Sequence, residues 1–365
     1  MKKRILSILL AVCMVAAMVP AMPTTASAAD TCTCPAKCTD SYKDPDCPVC
    51  NSGGTCESRR SRRIYDDSTG ITTQFHLQAA LDWKDAAHYL YYFPLDADIT
   101  VSSNITVPEN ADFVLDLNGH TLSGNHVWAI FKVYGKLTII DTTGGGKLVD
   151  AQGAMKIDGG HVLMKGGTIE NCTVSGAVLV QSGTFKMTGG TLKNNECYDG
   201  LSFEGRYYPG SIYCISNGTV IIDGRAQVLC CDEDNCGHRG AVCMADDTTL
   251  YIDGGAIKGG IYNGGTTHSV GGGTITSTHS GEGAVIEGKI INHGTISGGT
   301  YSCQVENKRG RETGEPDGSI TGGTFRSTVT NTGSISGGTF HSEVDNQGTI
   351  SDGTYSETGV VQNTG

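Results

Sequence analysis

The sequence predicts an all-β fold, a right-handed parallel β-helix (solenoid) with a short N-terminal capping helix and a small cysteine-rich segment ahead of it. Three observations lead there. A fifteen-residue phrase recurs near the C-terminus, as in "TNTGSISGGTFHSEVDNQGTISDGTY". Looser versions of the same phrase run upstream at steps of 20 to 30 residues. The 365 residues include 52 Gly and only 18% charged residues, so large apolar side chains are too few for two or three thick globular cores.

Residues 1–28 read as a secretory signal peptide: a basic start ("MKKR"), an apolar middle ("ILSILLAVCMVAAMV") and the small-residue cleavage motif Ala26-Ser27-Ala28. Its removal takes Lys2, Lys3 and Arg4 and no acid, so the mature chain is more negative than the formal −12 of the whole. Such a charge repels phosphate backbones and anionic lipids, and the expected partners include no nucleic acid. No later apolar run approaches the roughly 20 residues of a membrane span. The expected location is extracellular. Gly365 falls inside another repeat phrase, which leaves room for an anchor or a working domain further on.

Residues 29–58 hold Cys32, Cys34, Cys38, Cys47, Cys50 and Cys56 in a stretch too short to bury a core. Two readings stand. Three disulfides suit the secreted context, whereas Cys34, Cys38, Cys47 and Cys50 also have the spacing of a zinc knuckle. Residues 59–74 form a linker with Arg59, Arg60, Arg62 and Arg63, read as a solvated basic run.

The parallel β-helix is expected over 75–365. It opens with a capping helix at about 75–90, in which Phe75, Ala79, Ala80 and Trp83 share one face and cover the first strand edge. Regular coils occupy about 290–365, where Ile296, Ile320, Ile335 and Ile350 recur with Tyr301, Phe325, Phe340 and Tyr355. Val305, Val329, Val344 and then Val360 or Val361 complete the set. Spacings near five residues fit three short faces per coil, each sending one large side chain inward, with Gly-Gly pairs at 298–299, 322–323 and 337–338 as corners. Asn292, Asn307, Asn331 and Asn346 keep the same place in the phrase. Stacked coils would set their amides about 4.8 Å apart as a hydrogen-bonded ladder, although turn preference alone would also put Asn and Gly at corners.

The stretch "ITVPENADFVLDLNGHTLSG", followed by "GKLTIIDTTGGGKL" and then "GGTI" or "GGTF" phrases, resembles the right-handed β-helix surface proteins of Gram-positive gut bacteria, within the wider pectin-lyase-like group. The resemblance spans roughly 75–365 and is most specific in "LDLNGHTLSG". It implies an extracellular role in adhesion or glycan binding.

Functional candidates concentrate between 196 and 247, where the repeat is interrupted. Tyr207 and Tyr208, with Glu204 and Arg206, have the chemistry to hold a sugar ring; buried tyrosines are the plainer reading. The segment also carries Cys197, Cys214, Cys230, Cys231, Cys236 and Cys243, read as staples of an insertion. A lyase or hydrolase would draw on Asp199, Glu204, Arg206, His238, Arg239, Asp246 and Asp247, and calcium, the one cofactor considered, on Asp232 and Asp234. Against catalysis, "GHRG" precedes "DD", and the flanking polygalacturonase motifs and the basic strand motif of pectate lyases are missing. A second insertion, Lys308 to Pro316, is polar. The leading expectation is a non-catalytic adhesion or glycan-binding protein. The alternatives are a polysaccharide lyase or glycoside hydrolase using 196–247, and a spacer for a domain beyond the C-terminus.

Overall fold

The computed structural model describes residues 71–81, 91–174, 176–195, 211–229, 241–245, 247–264, 273–277, 285–310 and 317–364. The expected signal peptide, cysteine-rich segment and most of the basic linker lie outside them. Among the described residues one helix, Gln74–Leu81, precedes a long series of short strands that pair only in parallel, in one sheet of 24 strands and one of eight. The chain is a parallel β-solenoid. Each regular coil contributes three strands, for example Lys289–Asn292, Thr295–Ile296 and Thr300–Tyr301. These define a first, second and third face.

In-register stacking carries the core. On the first face an inner column runs from Ile105 and Phe131 through Ile212 and Val242 to Val305, Val329, Val344 and Val361. Val361 takes the last inner place, and Val360 is exposed. On the second face Ile296, Ile320, Ile335 and Ile350 lie on one another. On the third face Leu148, Ile169, Leu192, Val228 and Ile257 stack upstream. In the last coils the same face carries Tyr301, Phe325, Phe340 and Tyr355, whose rings stack at 5.4, 5.0 and 5.2 Å between centroids. The upstream echoes pair as their phrases suggest, Met164 with Met187 and Ile221 with Tyr251.

The two glycines of each corner have separate duties. Gly323 adopts φ +103°, open to glycine, whereas a Cβ on Gly322 would lie 2.4 Å from the Ser297 carbonyl oxygen of the coil below.

The second inner column of the first face changes chemistry along the rod. It is apolar at Val107, Val133, Ile157, Val180, Cys214 and Met244, then becomes Asn at 263, 292, 307, 331, 346 and 363. Each amide nitrogen donates to the next amide oxygen, at 2.7, 2.8, 2.7, 2.7 and 2.9 Å. The switch does not follow corner length, since apolar Val133 reaches Leu137 in the same four steps as Asn292 reaches Ile296, while Asn307 takes thirteen to Ile320. What the Asn corners share is a glycine carbonyl turned inward just before the second-face strand: Asn263, Asn292, Asn307 and Asn346 donate to the carbonyls of Gly273, Gly294, Gly318 and Gly348. Asn292 also accepts from Gly294 N. At the head of the ladder the Asn263 Oδ1 atom is buried with no partner among the described residues.

Polar corners serve the first coils too, and they explain "LDLNGHTL". Asp116, fully buried, accepts from Tyr92 OH, Asn118 N, Thr142 N and Thr142 Oγ1. Asp141 likewise accepts from Gly119 N and Gly146 N, tying that corner to the next coil.

The helix covers the N-terminal edge differently from expectation. Phe75 is 76% exposed, and the buried side is Leu77, Ala80 and Leu81; Trp83 lies outside the described residues. The reason is hydrogen bonding. Gln78 accepts from Thr106 N and donates to Thr106 O, and Gln74 does the same for Ser102 N and Ser103 O. Gln74 and Gln78, one turn apart, stand in for the strand that the first coil lacks.

Two stability tests follow from these contacts. Asn331→Ala removes one hydrogen bond from the Asn307 amide nitrogen and one from the Asn346 amide oxygen, and at about 1 kcal/mol for each lost bond should cost about 2 kcal/mol in urea unfolding. Thr330→Ala, beside it but facing outward, should stay within about 0.5 kcal/mol. Glu170 accepts from Lys147 at 2.7 Å and sits 3.2 Å from Lys193. The Lys147 hydrogen bond, opposed by burial and reinforced by Lys193, holds its carboxyl below the usual glutamate range. That contribution is present above the unfolded-state pKa and is lost as pH falls through the lowered native value. Glu170→Gln should therefore lower the urea midpoint at neutral pH, and its gap from wild type should close in acid.

Candidate functional site

The interruption between 196 and 247 is two insertions, with coil between them. One leaves the third-face strand Thr191–Lys193 and rejoins at the first-face strand Ile212–Cys214. The other leaves Gln227–Leu229 and rejoins at Val242–Met244. Their stems pair, Thr191 with Gln227 and Ile212 with Val242, so both spring from the corner between the third and first faces, on successive coils. The stems are about 4.8 Å apart, one strand spacing.

Asp199, Glu204, Arg206, Tyr207 and Tyr208 belong to the first insertion, and Asp232, Asp234, His238 and Arg239 to the second. All nine lie outside the described residues, as do Asp246 and the zinc candidates Cys34, Cys38, Cys47 and Cys50. Asp247 is described. It is exposed, with φ +58°, at the corner between the first and second faces. The three-residue strand Val242–Met244 thus separates it from the root of the insertions, by roughly 10 Å. Among the described residues no three His, Cys, Asp or Glu side chains converge as a metal site requires.

The cysteines divide in the same way. Cys214 and Cys243 are strand residues and not staples of an insertion. Cys214 points into the core as a free thiol, in the column of Val180 and Met244, and burial pushes its pKa up to about 12. Cys172 and Cys303 are buried free thiols as well, raised to about 12 and about 11 by burial. Period-breaking loops and period-keeping strands alternate here, and counting cysteines by sequence segment merged them.

Between the two corners lies the outer surface of the first face. Its outward column reads Thr106, Lys132, Lys156, Leu179, Tyr213, Cys243, Tyr262, Ile291 and Glu306. Tyr262 packs against His293, with ring centroids 6.0 Å apart. Glu306 is gripped by Lys289 at 2.7 Å and Lys308 at 2.8 Å. Burial would raise its pKa, but these hydrogen bonds prevail and hold it below the usual range. The insertion after Lys308 starts from the opposite corner, where Gly318 N donates to Lys308 O at 2.7 Å and Gly310 N to Asp317 Oδ1 at 2.9 Å. It does not share the corner of the other two.

A cluster on the first face that sequence reasoning missed is Trp128 with Lys132 and Lys156 over its ring and Tyr134 exposed beside them. Their signal was an exposed aromatic in "HVWAIFKVY", hidden because alternation alone does not tell which corner a turn residue occupies. Compared with protein-family models, with curated proteins and with solved structures, the chain matches none of them.

Buried, protonated thiols do not react. Iodoacetamide applied to native protein should leave Cys172, Cys214 and Cys303 unmodified, and should alkylate all three in urea without prior reduction. Peptide mass spectrometry reads both results. Alkylation in urea only after reduction would mean that the thiols are bonded.

Proposed function

We propose that this is a secreted or cell-surface protein whose right-handed parallel β-helix, of the pectin-lyase-like kind, binds glycan without catalysis. One observation carries the reading most: two long insertions, holding Tyr207, Tyr208 and a set of Asp, Glu and Arg residues, are rooted at one corner on successive coils. They flank a face whose outward column includes Lys132, Lys156, Leu179 and Tyr213. A rigid parallel stack that presents aromatic and charged side chains in rows suits a polymer better than a small molecule, since each coil meets one more unit of the ligand. The signal peptide places the encounter outside the cell, and the acidic chain argues against nucleic acid.

The non-catalytic reading rests on the missing hydrolase and lyase motifs, and it gains from the separation of Asp247 from the insertions' corner. Calcium remains the ion that Asp232 and Asp234 would take if the insertions bind one.

The test is a glycan array probed with the mature chain and with a Tyr207→Ala, Tyr208→Ala variant, with and without calcium, each positive glycan being checked for shortening. Binding that falls at least about tenfold in the variant while the glycan stays intact is the expected result. Calcium-dependent shortening would instead establish a lyase.

A further inference from the structure

Trp128 stands at the corner between the third and first faces, the corner that carries both insertions further along the rod. It precedes the strand Phe131–Val133, which stacks through Met155 and Val178 onto Ile212. The indole is 40% exposed. Two ammonium groups sit against its ring, Lys132 Nζ at 5.6 Å and Lys156 Nζ at 5.4 Å from the centroid. These lysines are register partners on adjacent coils, and Tyr134, 39% exposed, follows Lys132 on the same outer surface.

The charge here is incompletely balanced. Lys132 forms no salt bridge among the described residues. Lys156 makes one open contact, 3.7 Å from Asp158, whose other oxygen accepts from Ser182. Two like charges one strand spacing apart repel, and the indole face offsets that repulsion only in part. In a chain of net charge −12 this is a local positive patch beside an exposed aromatic plane. An anion between the two ammonium groups would relieve the repulsion with charge-assisted hydrogen bonds. The free area of the indole would take the apolar face of the ring that bears that anion.

We propose that Trp128, Lys132, Lys156 and Tyr134 form a binding site for an acidic saccharide, a sugar ring whose carboxylate or sulfate lies between the two lysines while the ring stacks on Trp128. The site is distinct from the insertions and rests on the reading that the protein binds glycan. It adds to that reading the charge class of the ligand. Bound along the rod, a polysaccharide would pass from Lys132 over Lys156 and Leu179 to Tyr213, roughly 14 Å at one coil per 4.8 Å. There it meets the root of the first insertion.

Affinity electrophoresis of the mature chain in gels containing polygalacturonate, dextran sulfate or unsubstituted dextran tests this. The first two separate carboxylate from sulfate, and the last removes the anion from the same backbone as the second. Wild type should be retarded by at least one acidic polymer and not by dextran, and retardation should weaken with salt. Trp128→Ala and the pair Lys132→Gln, Lys156→Gln should each weaken it about tenfold. Lys258→Gln, on the third face, should leave it unchanged. If Trp128→Ala lowers the melting temperature, the lysine pair and Trp128→Tyr carry the comparison, the latter retaining most of the binding. Equal losses in Lys258→Gln, or acidic-polymer binding indifferent to Trp128 and the lysines, would overturn the site. Binding that depends only on Tyr207 and Tyr208 would overturn it and leave glycan binding standing. No binding to any glycan on the array or in the gels would overturn both.

Discussion

Everything in this molecule depends on coils keeping register with their neighbours. A short strand of two or three residues has no stability alone, so each gains its hydrogen bonds from the coil before and after it. Register, once set, fixes what every column contains. Apolar residues then meet apolar residues inside, and a side chain that breaks the pattern breaks it for two neighbours. The asparagine ladder is the strictest case, because each amide between its ends donates to the next and accepts from the one before. The two ends need separate treatment, and at the N-terminal end Gln74 and Gln78 supply the missing backbone partners.

The ladder also marks a change along the rod. Upstream coils fill the inner corner between the first and second faces with Val, Ile, Cys or Met. Downstream coils fill it with Asn whatever the length of the corner: Asn292, Asn331 and Asn346 reach the next inner isoleucine in four steps, and Asn307 in thirteen. The Asn307 amide bonds both the corner and the next amide, so the insertion after Lys308 leaves the ladder unbroken. Both insertions with site candidates leave from the other corner, in the part of the rod whose inner corner is apolar.

Much of this was legible in the sequence where the period was strict. The columns of Ile320 and Ile335, of Phe325 and Phe340, and of Asn331 and Asn346 follow directly from a fifteen-residue step. Legibility failed where chemistry substitutes for periodicity. Phe75 looked like a core residue because helical spacing cannot say that the facing partner is an open strand edge, which demands amides. Cys214 looked like a loop staple because the two insertions hide the coil between them. Asp116 and Asp141 could be recognised as part of a distinctive phrase, but not as the acceptors that close the first corners. Trp128 was overlooked for a similar reason: its lysine neighbours are 4 and 28 residues away in sequence and adjacent only once the coils stack.

Register is therefore the claim to test most directly. Thr330 and Asp345 face outward as partners on adjacent coils, so cysteines at these two positions should lie within disulfide reach. Moving the second cysteine to Glu343 shifts it two residues along the strand, to roughly 8 Å, beyond the usual Cα separation. Mild oxidation of the two double variants, read by peptide mass spectrometry, decides the matter. The stacked coils predict an efficient bond between positions 330 and 345 and little between 330 and 343. Equal yields, or a preference for 343, would contradict the register on which the ladders, the corners and the proposed binding surface all rest.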